Sequence, residues 1–467
     1  MISIGCKRAP DTLGPFSGTT GVMSDPDPKH FTKAVTELGD TCPVLTTQAI
    51  FNDRGIKIID KGVQVNAALY QRLTAHRLTT PIEQSVATAS ALTGRDLRAS
   101  AEAALQEFAL FGRMTADGRT RSVLLDAVES MPLPAPMAFQ LTLAQQVRPA
   151  LYRHSVHAAL FAAWLAWGPL VTRFDVAVAA SAGMLHDLGM LHLDPLLLQP
   201  QGQIGSDQRR QLYSHPIVSS VLVERHHEYP KEVQRAILEH HEFADGSGYP
   251  RHLDQTSISP MGRLLAVAEL VTATLASRPQ APELQLWVRV RMNRHCFDAA
   301  LLQRVLELIE PEGPANRHSV TRMPDPVGHL RSINHVLADW PLDPPANLES
   351  DPGQRKGLLA LGQQVAQLRR SMAAVGVAPA QLEQLGAVGL DDFLSIELTL
   401  IAREAAWQLR ALSRHARRRW GNALDTGDPE PQQRWLDRVD QLVAQESAAP
   451  GQADQAGVEP PGTPSPG

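Results

Sequence analysis

From Pro149 to Ile309 the sequence reads as one amphipathic helix after another, and no other feature constrains the fold as tightly. Pro149–Trp167, Asp175–His186, Asp207–His227, Pro230–His241, Met261–Ala276 and Phe297–Ile309 all carry apolar residues at helical spacing. Pro149 and Pro230 stand at first-turn positions, where a missing N–H does no harm. Helices that follow one another without a strand predict a mainly α bundle. The longest uncharged apolar stretch, Ala158–Thr172, has 15 residues and is interrupted at Gly168-Pro169. It is too short to cross a bilayer and predicts a buried helix.

The same run is rich in histidine. Ten of the 17 histidines lie between residues 154 and 252, where an even spread would put about four. A neutral imidazole is the commonest metal ligand, so the surplus points to metal chemistry. Cysteine does not: Cys6, Cys42 and Cys296 are far apart with no CxxC pair, which argues against a cysteine zinc site and a disulfide framework. A net charge of -5 supplies no global basic field, so neither nucleic acid nor an anionic membrane is an expected partner. With 43% hydrophobic and 20% charged residues, wholesale disorder is excluded. The first 23 residues lack a signal-peptide core, and the expected compartment is the reducing cytoplasm.

The flanks read differently. Residues 1–30, rich in Gly, Pro, Ser and Asp, predict a disordered tail in which Met23 is an alternative start to Met1. Residues 31–139 predict a small α+β module. Val44–Phe51 and Ile56–Ile59 are β-rich runs joined by the hairpin signal Asn52-Asp53-Arg54-Gly55. Asn66 is expected to cap a helix carrying Leu69, Leu73 and His76, and Leu97, Ala101, Leu105, Phe108 and Phe111 mark a second. The module holds no catalytic constellation and reads as sensory, regulatory or packing. Pro-rich residues 313–352 predict a linker. Residues 353–446 predict a C-terminal helical region with one long helix over Leu390–Trp420, anchored by Trp407 and Trp420. Its basic run, Arg414, His415, Arg417, Arg418 and Arg419, suits a helix C-terminus, with an anionic partner as the other reading. Residues 447–467 predict a second disordered tail.

Two motifs inside the helical run carry chemistry. His186-Asp187 closes an apolar helix, where an adjacent imidazole and carboxylate can grip one metal and the carboxylate can reach a second. His240-His241-Glu242 with Asp245-Gly246-Ser247-Gly248-Tyr249-Pro250 reads HHExxDGxGYP. Two histidines at a helix end can enter one metal pocket, and the glycines and proline make a tight loop that brings backbone close to the bound group. In this order the motifs resemble the HD-GYP family, a branch of the HD metal-dependent phosphohydrolases, across residues 140–312. The family's ligands then fall on His154, His186, Asp187, His215, His240, His241 and Glu269. His157, His226 and His227 fall outside the register.

The resemblance implies an HD-type helical bundle holding two divalent metals, usually iron or manganese, with zinc also compatible with an all-N/O donor set. It implies hydrolysis of cyclic di-GMP or a related phosphodiester by metal-activated hydroxide, in bacterial second-messenger signalling, with Asp187 and His186 at the catalytic centre. Gly248, Tyr249, Arg278 and His192 are the candidate substrate contacts. A signalling-protein partner would engage the N- or C-terminal regions. The family's substrate-contacting lysine is Met190 here, its last metal-ligating aspartate is Glu269, and two further positions of its final motif are Thr272 and Ala281. Ala150 stands where some members carry a glutamate for a third metal, so two metals are expected. Loss of a preorganised cation commonly costs about 10²–10³-fold in rate. Two other readings therefore stand beside the hydrolase: a weakened or inactive domain that senses a nucleotide or docks a protein, and an HD hydrolase of another phosphate ester.

Overall fold

The computed structural model describes residues 28–168, 171–198, 205–277, 281–311, 320–341, 352–387, 390–424 and 431–447. These are mainly helical with four short strands, and they divide into two compact units: 28–286 with 294–310, and 287–293 with 311–447. Apart from residues 28–30 and 447, the two expected tails lie outside the described residues.

The first unit opens with a helix the sequence reading missed, Pro28–Thr41, which buries Phe31, Val35 and Leu38 along one face. Four strands follow: β1 (Val44–Thr46), β2 (Ile50–Phe51), β3 (Lys57–Ile59) and β4 (Val86–Thr88). β2 and β3 form the expected antiparallel hairpin, with Ile50 opposite Ile59. Asn52 Oδ1 builds its turn by accepting from the amides of Arg54 and Ile56 at 3.0 and 2.8 Å, and Gly55 takes φ 72°. The run Val44–Phe51 is not one strand, because β1 leaves to pair antiparallel with β4, Val44 opposite Thr88. Asn66 caps no amphipathic helix; a 3-10 turn, Ala67–Leu69, and a single helical turn, Tyr70–Thr74, replace it, and His76 is exposed. The helix beginning at Gly94 stops at Ala104, where tight bonds from Gln106 N to Ala103 O and Glu107 N to Ala104 O turn the chain. Phe108 then leads into a separate helix, Ala109–Met114.

The helices Gly94–Ala104 and Gly118–Glu129 pack on Pro149–Ala166, and the second also packs on Arg173–Leu185. Residues 31–139 are thus joined to the helical bundle in one compact unit rather than set apart as a module. At the bundle's centre, Pro149–Ala166 is buried almost all round. Its tight partner is Arg173–Leu185, which starts in a capping box between Thr172 and Asp175. A Cβ on Gly183 would lie 2.6 Å from the Ala158 carbonyl, so only glycine permits this approach. Arg173–His192 is long and apolar enough to cross a membrane, but 83% of it is buried inside the fold.

In the second unit the expected linker contains a helix, Pro326–Ala338. Asp325 caps it, Pro326 occupies its first turn, and Val327, Leu330, Ile333 and Leu337 are buried at helical spacing, so proline density here marks a helix start rather than a break. The helices Pro352–Ala374, Pro379–Ala387, Asp392–Leu424 and Pro431–Ser447 complete the unit. Trp435 is fully buried, donating to Val336 O at 2.7 Å, whereas Trp407 is only half-buried and the side chain of the expected anchor Trp420 lies outside the described residues. Arg417 pairs with Asp437 and Asp440 of the last helix, which accounts for that part of the basic run.

Candidate metal centre

The ends of helices, not their middles, supply most of the candidate ligands. His186 follows directly on Arg173–Leu185 and His240 on Lys231–Glu239. The expected helix Asp207–His227 breaks into Ser206–Tyr213 and His215–Glu224, which places His215 at a helix start. Pro216 causes the break, since it has no N–H to offer the Leu212 carbonyl four residues back. The His215 ring takes that acceptor instead, Nδ1 donating to Leu212 O at 2.6 Å. His186 Nδ1 donates to Gly183 O at 2.7 Å and His240 Nδ1 to Ile237 O at 2.6 Å. In each case a carbonyl left over at a helix terminus fixes the imidazole tautomer. Nδ1 carries the proton and Nε2 presents its lone pair, the second-sphere arrangement of a metal-ligating histidine.

Those Nε2 atoms converge. His154, His186 and Glu269 form one group and His215, His240 and His241 another, the ligand atoms of each lying within 4.8 Å of one another. In the first, His154 Nε2 is 2.8 Å from Glu269 Oε2 and 3.3 Å from His186 Nε2. In the second, His215 Nε2 is 3.2 Å from His240 Nε2 and 3.1 Å from His241 Nε2. Asp187 stands between the two. Its Oδ2 is 3.5 Å from His186 and 3.8 Å from His154, and its Oδ1 is 3.3 Å from His215 and 3.8 Å from His240. All seven side chains are buried, and Asp187 Oδ1 has no hydrogen-bond donor. A buried carboxylate oxygen facing imidazole lone pairs is costly unless a cation lies between them, so the donor set fits divalent metal.

The electrostatics agree. Burial pushes His240 and His241 well below the usual imidazole range, and the neighbouring rings push the same way, so both are neutral. Burial also works to lower His186, but Asp187 and Glu269 outweigh it and raise it to about 9, so without a cation its Nε2 keeps a proton that a bound metal would displace. Burial opposes ionisation of Asp187 and Glu269, yet the surrounding imidazoles hold both below the ordinary carboxylate range.

The candidate substrate contacts have mixed placements. Tyr249 is buried against the centre, stacked on His241 at 4.7 Å and on Tyr213 at 4.4 Å, and its hydroxyl has no hydrogen-bond partner. Gly248 has a packing role: a Cβ there would meet His241 O, Glu242 Cα and Phe243 N at 2.4 Å. His192 does not line the centre. The 3-10 turn Leu188–His192 carries its ring against Phe31, stacked at 4.4 Å. Arg278 lies outside the described residues. Met190 is buried with Leu193, Leu197 and Leu212. Thr272 bonds back to Ala268 O, and Ala281 is buried.

Three residues support the centre, of which Arg148 and Ser219 escaped the sequence reading and Glu242 was read only as part of its motif. Arg148 donates to Met190 O and Leu193 O at 3.0 and 3.1 Å and so holds the turn after Asp187. Ser219 Oγ accepts from Gly189 N at 2.8 Å. Glu242 accepts from the amides of Arg251 and Leu253, clamping the Gly248–Pro250 loop behind the two histidines. Their sequence signal is weak, because each acts on a partner distant along the chain.

Residues 142–300 match the family model described as HD domain. Over 175 residues, 36% of this chain, the sequence is 25% identical to 3'3'-cGAMP-specific phosphodiesterase 3 of Vibrio cholerae, covering 37% of that protein. Over 107 residues, 22% of this chain, it is 35% identical to the cyclic di-GMP phosphodiesterase response regulator RpfG of Xanthomonas campestris pv. campestris, covering 28% of it. Residues 142–300 carry an HD domain. The match spans about a third of the length of these curated relatives. Among solved structures, an HDGYP protein from Bdellovibrio bacteriovorus aligns with a TM-score of 0.32 at 14% identity, covering 56% of this chain and 94% of that one.

Proposed function

We propose that the HD-GYP domain is a metal-dependent phosphodiesterase acting on a cyclic dinucleotide, cyclic di-GMP first among them. The observation that carries this reading is the sharing of Asp187 between two buried donor groups. His154, His186, Glu269 and Asp187 Oδ2 would hold one divalent cation, and His215, His240, His241 and Asp187 Oδ1 a second, iron or manganese by family and zinc by donor type. Such a pair neutralises charge on a phosphoryl group and lowers the pKa of water. The chain's own part is positional. Leu212, Gly183 and Ile237 carbonyls orient three imidazoles, and Tyr249 stacks on His241 and keeps the pocket apolar on that side. The Tyr249 hydroxyl, buried without a hydrogen-bond partner, is the candidate contact to substrate on this side. The relatives named as cyclic di-GMP and 3'3'-cGAMP phosphodiesterases support the substrate class.

The deciding experiment loads the purified chain with manganese or iron(II) and offers it cyclic di-GMP and 3'3'-cGAMP. Turnover of either, abolished in Asp187→Ala, is expected. A fully metallated protein that turns over neither would overturn the hydrolase reading. The burial of Met190 among leucines, where the family has a lysine, favours a second reading in which the domain binds the nucleotide without cleaving it. Calorimetry showing saturable binding with no product would select that reading.

A further inference from the structure

Asp245, His295 and Cys296 form a cluster of potential ligands separate from the histidine groups, and no local pattern marks it because Asp245 lies 50 residues before His295. Asp245 sits in the loop after His241 and Glu242. His295 and Cys296 form the 3-10 turn Arg294–Cys296. The backbone joins the two segments through Ala244 N to Cys296 O at 2.8 Å, and Phe243 meets Phe297 edge-on beside that bond. Cys296 Sγ is 3.3 Å from His295 Nε2 and 3.8 Å from Asp245 Oδ2, and His295 Nε2 is 3.7 Å from the same Oδ2. Ser247 holds the other oxygen, Oδ1, through its amide at 3.0 Å and its hydroxyl at 2.5 Å, which aims Oδ2 at the pair.

We propose that Asp245, His295 and Cys296 form a mononuclear zinc site, with a fourth position open to water. The geometry carries the inference. Tetrahedral zinc with Zn–S near 2.3 Å and Zn–N and Zn–O near 2.0–2.2 Å separates its donors by about 3.4–3.6 Å. The three observed separations straddle that range, and the circle through the three atoms has a radius of about 2.1 Å, one zinc–ligand bond length. A nucleophilic Cys–His–Asp triad needs the carboxylate on the imidazole nitrogen opposite the thiol. Here sulfur and carboxylate face the same Nε2, an arrangement that converges on a point rather than relaying a proton. One thiolate, one imidazole and one carboxylate make a borderline-soft set suited to zinc. The Cys296 thiol is buried while the Asp245 and His295 side chains are 20% and 23% exposed, which leaves an entry path and room for water. Zinc there ties the loop bearing Gly248 and Tyr249 to the turn at residues 294–296.

Cobalt(II) titration of the metal-stripped full-length chain tests this, because only a thiolate ligand gives the near-ultraviolet sulfur-to-cobalt charge-transfer band. The band is expected in the wild type at an intensity of one thiolate per chain. It should vanish in Cys296→Ser and weaken in Asp245→Asn and His295→Ala, with one fewer zinc retained per chain in Cys296→Ser. It should persist in Cys42→Ser and in Asp187→Asn, which disables the histidine centre, so this result is independent of whether the domain hydrolyses anything. Absence of the band from the wild type at saturating cobalt would refute the site, even if every variant misfolded. So would its survival in Cys296→Ser or its loss in Cys42→Ser.

Discussion

At the residue scale the centre depends on which imidazole nitrogen carries the proton, and on aromatic packing behind the rings. Tyr249 separates two effects. Its ring is buried between His241 and Tyr213, while its hydroxyl has no partner. Tyr249→Phe should leave thermal stability and metal content unchanged and lower turnover by about tenfold, the worth of one hydrogen bond to substrate. Tyr249→Ala should cost about 3–5 kcal/mol of stability and loosen His241. Unchanged turnover in Tyr249→Phe would remove the hydroxyl from substrate binding. Met190 invites the opposite experiment, restoration of the family lysine. Its side chain is 3% exposed and packed on Leu193, Leu197 and Leu212, so a lysine there is forced into an apolar cluster. Met190→Lys should therefore lower the free energy of unfolding, by about 3–5 kcal/mol if the charge stays buried and unpaired, and with it the melting temperature, rather than raise turnover. A variant of unchanged stability and increased turnover would show that the lysine reaches the substrate from this turn.

At the element scale, helix ends make the ligands and close helix contacts bring them together. Pro216→Ala would return an N–H to the Leu212 carbonyl and let the backbone compete with the His215 ring for it. Loss of such a second-sphere bond should weaken metal binding by about 10–100-fold, measured by competition with a chelator. An unchanged affinity would mean the tautomer is set elsewhere. Gly183→Ala forces a Cβ against the Ala158 backbone and should cost about 1–3 kcal/mol in urea denaturation by parting the helices that carry His154 and His186. The sequence made His186, Asp187, His215, His240 and His241 legible because they lie at helix boundaries marked by short motifs, whereas His154 and Glu269, inside Pro149–Ala166 and Pro260–Ser277, follow only from the register. His192 was misplaced because the 3-10 turn after Asp187 rotates it to Phe31, a contact no local pattern encodes. The pairing of β1 with β4, some forty residues apart, was hidden for the same reason, as was the Asp245, His295 and Cys296 cluster. Pro28–Thr41 was masked by the Gly/Pro-rich segment before it, although Phe31, Val35 and Leu38 do carry helical spacing.

At the scale of the whole molecule, burying so many histidines makes stability depend on pH even away from the metal centre. His192 shows how. Burial, reinforced by the positive charges of Arg225 and Arg148, depresses its pKa to about 3 from an ordinary 6.5. The unfolded chain therefore binds a proton that the folded chain refuses at any pH between those two values. Linkage gives the sign: this contribution to stability is fully present above pH 6.5 and is lost as pH falls toward 3, at about 1.4 kcal/mol per pH unit. His192→Phe keeps an aromatic ring against Phe31 and removes the proton uptake. Urea denaturation of wild type and variant at pH 7, 6, 5 and 4 should show the variant losing about 3 kcal/mol less than the wild type across that range. Comparing slopes rather than absolute stabilities cancels any packing cost of the larger ring, and metal-ligating histidines common to both proteins drop out of the difference. Parallel slopes would mean that His192 takes up its proton as readily in the folded state as in the unfolded chain.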